Sequence, residues 1–137
     1  MRCGPGGIGF KNRRPRGCCL GYEGRGKSGM DLANIKDATE WFEVLQTSKR
    51  TQTAMMTLAP GDDTGKKAEA HKNSDQVLLM LSGRLCGTVG PETVNLKKGD
   101  VILIRAGTPH RFRNPGRQRA VTFNVYSPPE YPPDTKG

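Results

Sequence analysis

The sequence predicts an all-β barrel or sandwich made of short strands. From Asp31 onward, short apolar runs are interrupted by turn residues roughly every 8–12 positions. The 137 residues include 18 Gly and 10 Pro, and almost no stretch has the 3.6-residue period of an amphipathic helix. A chain of this length supports one hydrophobic core, so the pattern indicates a single antiparallel β domain.

The first predicted elements follow a basic segment. Residues 31–37 favour a short helical turn, and WFEVL at 41–45 predicts the first strand. The second strand is predicted at 51–58, where alternation puts three apolar side chains on one face: Ala54, Met56 and Leu58. A turn at 60–63 and a short strand at 68–71 come next.

The later strands contain the most apolar part of the sequence. QVLLML at 76–81 is an almost continuous apolar run, which predicts a strand buried on both faces. The remaining strands, separated by turns rich in Gly, Pro and Asp, are predicted at 84–89, 93–96, 101–104, 110–113 and 120–126. Many short strands without helices between them exclude the doubly wound α/β fold.

Residues 1–29 differ in composition from the rest of the chain. They hold seven Lys or Arg against one acid, which is +6 of the total charge of +9. With few apolar residues, they predict a disordered or loosely packed tail, whereas 30–137 is the barrel domain with its core at about 40–126. Since MDLANIKDATEWF from Met30 reads like a natural start, the tail is interpreted either as an upstream extension outside the natural product or as a basic arm for nucleic acid.

The tail contains GYEGRGKS at 21–28, which matches the phosphate-binding pattern G-x-x-x-x-G-K-S. A working phosphate loop follows a buried strand and begins a helix. Here Arg, Pro and Gly dominate the stretch before Gly21, and Gly29 stands where the helix should begin. The sequence therefore predicts no nucleotide-binding residues. A nucleic-acid partner is also not expected, because the body lacks a basic face with interleaved aromatic residues.

Cysteine usage and hydropathy indicate a cytoplasmic protein. The four Cys have no metal-site spacing, and two of them are adjacent, so reduced thiols are expected. No apolar run approaches the roughly 20 residues of a membrane span, and the basic N-terminus has no apolar stretch typical of a secretory signal. No membrane association is predicted.

The two histidines of the chain lie in similar settings. His71 and His110 each stand beside a predicted strand, with glycines on either side. If these strands are neighbours in a barrel, both imidazoles can point inward and meet. Two convergent imidazoles with an oxygen ligand suit a divalent ion such as Zn, Fe, Mn or Ni, so the two segments predict a metal site.

The spacing of these segments resembles the two conserved motifs of the cupins, G-x5-H-x-H-x(3,4)-E-x6-G and G-x5-P-x-G-x2-H-x3-N. The second motif matches with Arg105 in place of Pro, at Gly99, Gly107, His110 and Asn114. The first matches at Gly65, His71 and Gly83, with Gln76 where Glu is usual. The resemblance implies a small one-domain cupin, a jelly-roll barrel also called a double-stranded β-helix.

In cupins, two His and a Glu of the first motif and the His of the second typically bind a divalent metal. The resemblance thus implies His71, His110 and Gln76 as ligands, with Asn73 where the second His could lie. An uncharged amide oxygen should bind an ion less tightly than a carboxylate. A slip of two residues would instead place Glu69 in the site, giving a two-His-one-carboxylate set. A cupin that has lost its metal is the alternative.

Several further residues are candidates for substrate binding. An apolar pocket could include Met56, Phe112 and Phe123, although such residues usually belong to a core. Arg105, near His110, could hold a carboxylate or phosphate in a bidentate manner, or it could be a solvated surface residue. Asn73 is the remaining polar candidate.

The resemblance implies two functional hypotheses. The first is a metal-dependent isomerase or oxygenase that acts on a small polar substrate. The second is a non-catalytic module that binds or senses a small ligand or sugar. Small cupins also pair as dimers, often by edge strands, so a homodimer is expected with residues 41–45 at its interface.

Overall fold

Eight antiparallel strands form two sheets in the computed structural model, which describes residues 29–137. The strands are β1 (Phe42–Thr47), β2 (Gln52–Leu58), β3 (Asp75–Ser82), β4 (Arg84–Val89), β5 (Glu92–Lys97), β6 (Val101–Ile104), β7 (His110–Arg113) and β8 (Ala120–Ser127). One sheet has the order β1-β2-β8-β3-β6 and the other β5-β4-β7. The predicted all-β jelly-roll fold is confirmed.

The strands begin and end close to their predicted positions, with one difference in burial. On β3, Gln76, Leu78 and Met80 are buried, whereas the alternate residues Val77 and Leu79 are only partly buried. The prediction of burial on both faces is therefore wrong. The outer face of β3 has no second layer over it in the described residues, because the three-stranded sheet packs on the inner face.

Residues 68–71 do not form the predicted strand. Only Glu69 pairs there, in an isolated bridge to His110 at the edge of β7. The segment before it turns away from regular pairing because Gly65 has φ +146 and its N–H donates to the Asp63 side chain. The chain thus pairs with the edge of β7 only at Asp63 and Glu69. This places Glu69 opposite His110, at the start of β7, and His71 close to the same residue.

The core lies between the two sheets. The larger sheet contributes Ala54, Met56 and Leu58 of β2, which share a face as predicted, together with Leu78 and Met80 of β3. The smaller sheet contributes Leu85, Leu96 and Phe112. Alternation along every strand therefore also fixes which polar side chains point inward, and those residues build the site described below.

Before β1, the chain forms a 3₁₀ helix at Ile35–Asp37 rather than a longer helical turn. Asn34 caps it through its side chain, which accepts from Lys36 N, while Asp37 accepts from Asn34 N. Residues Ala33–Gly137 form one compact unit. The predictions made for residues 1–28, including the tail and the GYEGRGKS match, lie outside the described residues.

The last part of the chain, segment 130–137, pairs with the edge of β1. Val44 N donates to the Thr135 carbonyl over 3.0 Å, and Glu43 forms a bridge with Lys136. The backbone groups of this edge are therefore bonded within the chain. The expected dimer contact through residues 41–45 stays a prediction, and a partner strand that paired with this edge would have to displace segment 130–137.

Candidate functional site

A cavity of about 330 Å³ lies between the sheets and is lined by inward-facing residues of both. Its walls combine aromatic rings with polar side chains, among them His71, Gln76, His110, Phe112, Tyr126 and Tyr131. Strand alternation accounts for Gln76 and Tyr126, whereas His71 and Tyr131 come from segments outside the strands. The cavity therefore depends on loop positions as well as on the sheets.

His71 is buried among aromatic rings and paired with a carboxylate. Its exposure is 8%, and its ring meets Tyr126 and Tyr131 edge-on at centroid distances of 5.3 and 5.9 Å. Nδ1 lies 3.3 Å from Glu130 Oε2. Because a carboxylate can only accept, this contact favours the tautomer with its hydrogen on Nδ1, in which Nε2 keeps its lone pair when the ring is neutral.

His110 begins β7 and is held by its neighbours in a similar way. Its Nδ1 lies 2.9 Å from the Thr108 carbonyl oxygen, so Nδ1 is again the donor and Nε2 the acceptor. Its backbone exchanges two hydrogen bonds with Glu69. Burial is the main cause that lowers the pKa of His110 below its ordinary value, which favours the neutral ring.

The two imidazoles meet, as the sequence predicts. The ring centroids of His71 and His110 are 5.0 Å apart, with an angle of 57° between the ring planes. Gln76 lines the same cavity at 4% exposure. Its Nε2 donates to Asn124 Oδ1 over 2.9 Å, and its Oε1 has no hydrogen-bond partner among the described residues. The site therefore has two lone-pair nitrogens and one unpaired amide oxygen.

The remaining sequence-predicted residues divide into two groups. Glu69, Met56 and Phe112 line the cavity, although Glu69 is exposed to solvent. The others do not line it: Asn73, Arg105 and Phe123. Asn73 and Arg105 are exposed loop residues, and Phe123 alternates onto the outer face of β8, opposite to Asn124. The substrate-binding role predicted for these three thus has no support from their positions.

Three residues of the site are absent from the sequence predictions: Tyr126, Glu130 and Tyr131. Tyr126 could have been found, because it alternates with Thr122 and Asn124 on the inner face of β8. Glu130 and Tyr131 follow two prolines and have no periodic signal. Burial is the main cause that raises the pKa of both tyrosines above the ordinary value of 10.0, so both stay neutral at physiological pH.

A family model described as "Cupin domain" matches residues 54–126, which includes both histidine segments. The chain belongs to the cupin superfamily. Among curated proteins, it is 39% identical over 56 residues to an uncharacterised protein of Streptomyces coelicolor. That match covers 41% of the chain, and the chain spans about half (52%) of the relative's length.

Two solved structures show the same cupin fold at 27% identity. A Bacillus halodurans protein superposes with a TM-score of 0.72, covering 81% of this chain and 90% of its own. A Thermus thermophilus protein superposes with a TM-score of 0.64, covering 72% of this chain and 98% of its own.

In the described residues of this cupin, no helix is long and apolar enough to cross a membrane.

The donor set of this cupin fits a divalent ion only in part. Within residues 29–137, no group of three His, Cys, Asp or Glu side chains is arranged to hold one. His71 and His110 are two neutral nitrogen ligands, and both have the Nδ1 partner that commonly orients a metal-binding imidazole. The third ligand available is the amide oxygen of Gln76, which has no charge.

Proposed function

We propose that this cupin binds a small molecule that has an aromatic or apolar body and a polar group. The observation that carries the proposal is the cavity of about 330 Å³, whose aromatic walls surround an unpaired, buried amide oxygen. Cavities of this size, mostly apolar with a few placed polar groups, are typical of small-molecule sites. Gln76 Oε1 has no hydrogen-bond partner among the described residues, so a ligand donor can bond it without displacing a protein group.

The aromatic side chains support a flat or apolar ligand body. Phe112, Tyr126 and Tyr131 present ring surface to the cavity, and ring pairs prefer the edge-on and offset arrangements that such walls provide. Tyr126 and Tyr131 already pack edge-on at 5.3 Å. A ligand ring placed among them would extend an existing cluster rather than require a new one.

The test uses 4-fluorophenol as the probe and maps its binding by amide chemical shifts in NMR. We expect shifts at cavity residues such as His71, Gln76 and Phe112. Tyr131→Ala removes one wall and should weaken binding about 3- to 10-fold. Thr93→Ala, an exposed position on β5, is the matched control. Shifts confined to residues outside the cavity would contradict the proposal.

A second candidate function is a divalent metal site held by His71, His110 and Gln76. Two imidazoles that share one ion through nitrogens about 2.1 Å away have ring centroids roughly 5 Å apart, and here the separation is 5.0 Å. Such an ion would supply Lewis-acid or oxygen chemistry. The isomerase or oxygenase activity that the resemblance implies depends on this ion.

Metal content of the purified protein tests this second function. We expect His71→Ala and His110→Ala to remove bound Zn, Fe, Mn or Ni, and Gln76→Glu to raise occupancy because a carboxylate adds charge to the ligand set. Gln118→Glu introduces the same negative charge at an exposed position and is the control, because it should not change the metal content. Metal content that none of the cavity substitutions changes would rule out the site.

We also propose a homodimer, formed through the outer face of the larger sheet. This face is apolar across three strands, since Leu79 pairs with Val101 and Phe123, and Val77 pairs with Leu103. Val101 and Leu103 are 64% and 49% exposed. A contiguous apolar face of this kind is typical of an interface between copies of one chain.

Light scattering coupled to gel filtration tests the dimer. Leu103→Glu places a charge on the edge-strand part of the apolar face and should give a monomer, whereas Thr93→Glu on β5 should leave the mass unchanged. A wild-type monomer, or a dimer that persists in Leu103→Glu, would exclude this interface.

A further inference from the structure

A row of buried polar side chains stands behind the cavity. Thr122 and Asn124 lie on the inner face of β8 and are 0% exposed, and Gln76 lies on the neighbouring strand β3. Buried polar groups are unfavourable unless they are hydrogen-bonded. The direction of the hydrogen bonds along this row therefore determines what its last member presents to the cavity.

A backbone carbonyl fixes that direction. The Met56 carbonyl can only accept, so the Thr122 hydroxyl donates to it over 3.0 Å. The Thr122 oxygen then accepts from Asn124 Nδ2 at 3.0 Å. Asn124 Oδ1 is thus turned to Gln76, whose Nε2 donates over 2.9 Å. The reverse orientation of Asn124 would set its oxygen against the Thr122 oxygen and the Ala54 carbonyl, acceptor against acceptor.

The free end of the row is Gln76 Oε1. Since Nε2 is held by Asn124, the carbonyl oxygen is the end of this amide that remains for a ligand. No side-chain or backbone donor of the described residues reaches it. The amide cannot turn to offer its N–H instead without breaking the bond to Asn124, so the cavity meets a fixed acceptor.

The neighbouring imidazoles also offer hydrogen-bond acceptors to the cavity. His110 donates from Nδ1 to the Thr108 carbonyl, and the contact of His71 Nδ1 with the Glu130 carboxylate favours the tautomer with its hydrogen on Nδ1, which leaves the lone pair of Nε2 in each neutral ring. The polar groups that can reach a ligand from these three side chains are therefore all acceptors. At these three side chains, the ligand has to supply the hydrogens.

We propose that Gln76 is a specificity-determining residue, which selects ligands that place an O–H or N–H donor against its fixed carbonyl oxygen. The ligand class is then a hydroxyl- or amine-bearing small molecule, and a molecule of equal size with a methyl group or an acceptor at that point is rejected. The proposal rests on the proposed small-molecule function, because it assigns the polarity of the ligand in that same cavity. Thr122 and Asn124 are positioning residues.

A pair of probes of nearly equal shape tests the selection. 4-Fluorophenol has a donor where 4-fluorotoluene has a methyl group, and ¹⁹F NMR titration of the full chain in EDTA gives a Kd for each. We expect 4-fluorophenol to bind at least about 10-fold more tightly, although the methyl compound is the more hydrophobic. In Gln76→Met the ratio should fall to within about 3-fold, with Gln76→Leu as a second variant of similar size.

Substitution of Thr122 separates this role from a merely structural one. Thr122 does not line the cavity, so Thr122→Val should change the ratio of the two Kd values only by loosening the orientation of Asn124 and Gln76, which then depends on the longer 3.5 Å contact of Asn124 Nδ2 with the Ala54 carbonyl. Thr122→Ser keeps the hydroxyl and should restore the wild-type ratio. An unchanged ratio in Thr122→Val would contradict the positioning role.

The outcomes distinguish the two proposals. Equal affinity for both probes in the wild type, or a preference that survives in Gln76→Met, would overturn the assignment of Gln76 and leave the small-molecule cavity in place. Binding of neither probe would contradict the cavity function itself, and the assignment of Gln76 would fall with it.

Discussion

Burial and hydrogen bonding together set the protonation state of His110. Burial is the largest cause that lowers its pKa below 6.5, and the neighbouring His71 acts in the same direction, whereas the Thr108 carbonyl and Glu69 oppose it. The unfolded chain therefore binds a proton at a higher pH than the folded chain does. Between the unfolded and folded pKa values, the unfolded state gains protons first, so folding stability falls as the pH falls.

We predict that the metal-free protein loses free energy of unfolding as the pH is lowered below 6.5. In His110→Gln, the loss of free energy of unfolding over the same pH range should be smaller, because the titrating imidazole is gone. Urea unfolding at a series of pH values in EDTA measures both proteins. An identical pH dependence in the two would show that His110 is not the group responsible.

The Asn114 side chain bonds the turn between β7 and β8 to the end of β2. It is 0% exposed, its Nδ2 donates to the carbonyls of Leu58 and Gln118, and its Oδ1 accepts from Gly116 N. This residue is the last position of the second cupin motif, and its role in the structure is to satisfy backbone groups of the turn. It does not line the cavity.

We predict that Asn114→Ala lowers the free energy of unfolding by about 1–3 kcal/mol, since the Leu58 carbonyl loses its side-chain donor in a buried setting. Asn95→Ala, on an exposed position of β5, should change it by less than about 0.5 kcal/mol. Urea denaturation compares the two. Equal stabilities would contradict the structural role of Asn114.

Among the secondary-structure elements, the pairing of β4 with β7 positions half of the site. Gly87 of β4 lies opposite Phe112 of β7, one residue from Arg111. A Cβ added at Gly87 would come within 1.9 Å of the Arg111 carbonyl oxygen and 2.9 Å of the Phe112 Cα. Both obstacles are backbone atoms, so the strands can accept a side chain only by separating.

We predict that Gly87→Ala moves β7 away from β4 and costs about 1–3 kcal/mol or more of stability. Because β7 contains His110 and Phe112, binding of 4-fluorophenol should weaken as well. Gly116→Ala is the matched control, since the nearest atoms to its added Cβ are at 3.5 Å. A Gly87→Ala protein as stable as the control would contradict the close approach.

For the whole molecule, every predicted element of the core and of the site lies after residue 29. The buried core and the lining of the cavity belong to the compact unit Ala33–Gly137. We predict that a chain beginning at Met30 keeps the thermal midpoint of the full chain within about 2 °C, which scanning calorimetry measures. A drop of about 8 °C or more would show that the preceding residues stabilise the barrel.

Much of this architecture could be predicted from the sequence because β-strands leave a local signal. The alternation of Ala54, Met56 and Leu58 gave the inner face of β2, and the glycines around each histidine gave the local spacing that resembles the cupin motifs. The turn residues marked the strand ends within a few positions. Each of these depends on neighbours close in sequence.

The remainder could not be predicted because it depends on contacts between distant residues. Glu130 reaches His71 only because Gln52, more than seventy positions earlier, bonds the backbone of Glu130 and Tyr131 through both ends of its amide. Arg105 and Phe123 looked suitable by type, but Arg105 lies in an exposed loop and strand alternation turns Phe123 to the outer face of β8. Residue type alone does not determine which face a loop residue takes.

The attachment of segment 130–137 to β1 has a consequence for truncated forms of the chain. All eight strands end before Glu130, so a chain that stops after residue 129 keeps every strand but lacks the Tyr131 wall of the cavity and the carboxylate partner of His71. We expect such a chain to bind 4-fluorophenol more weakly than the full chain.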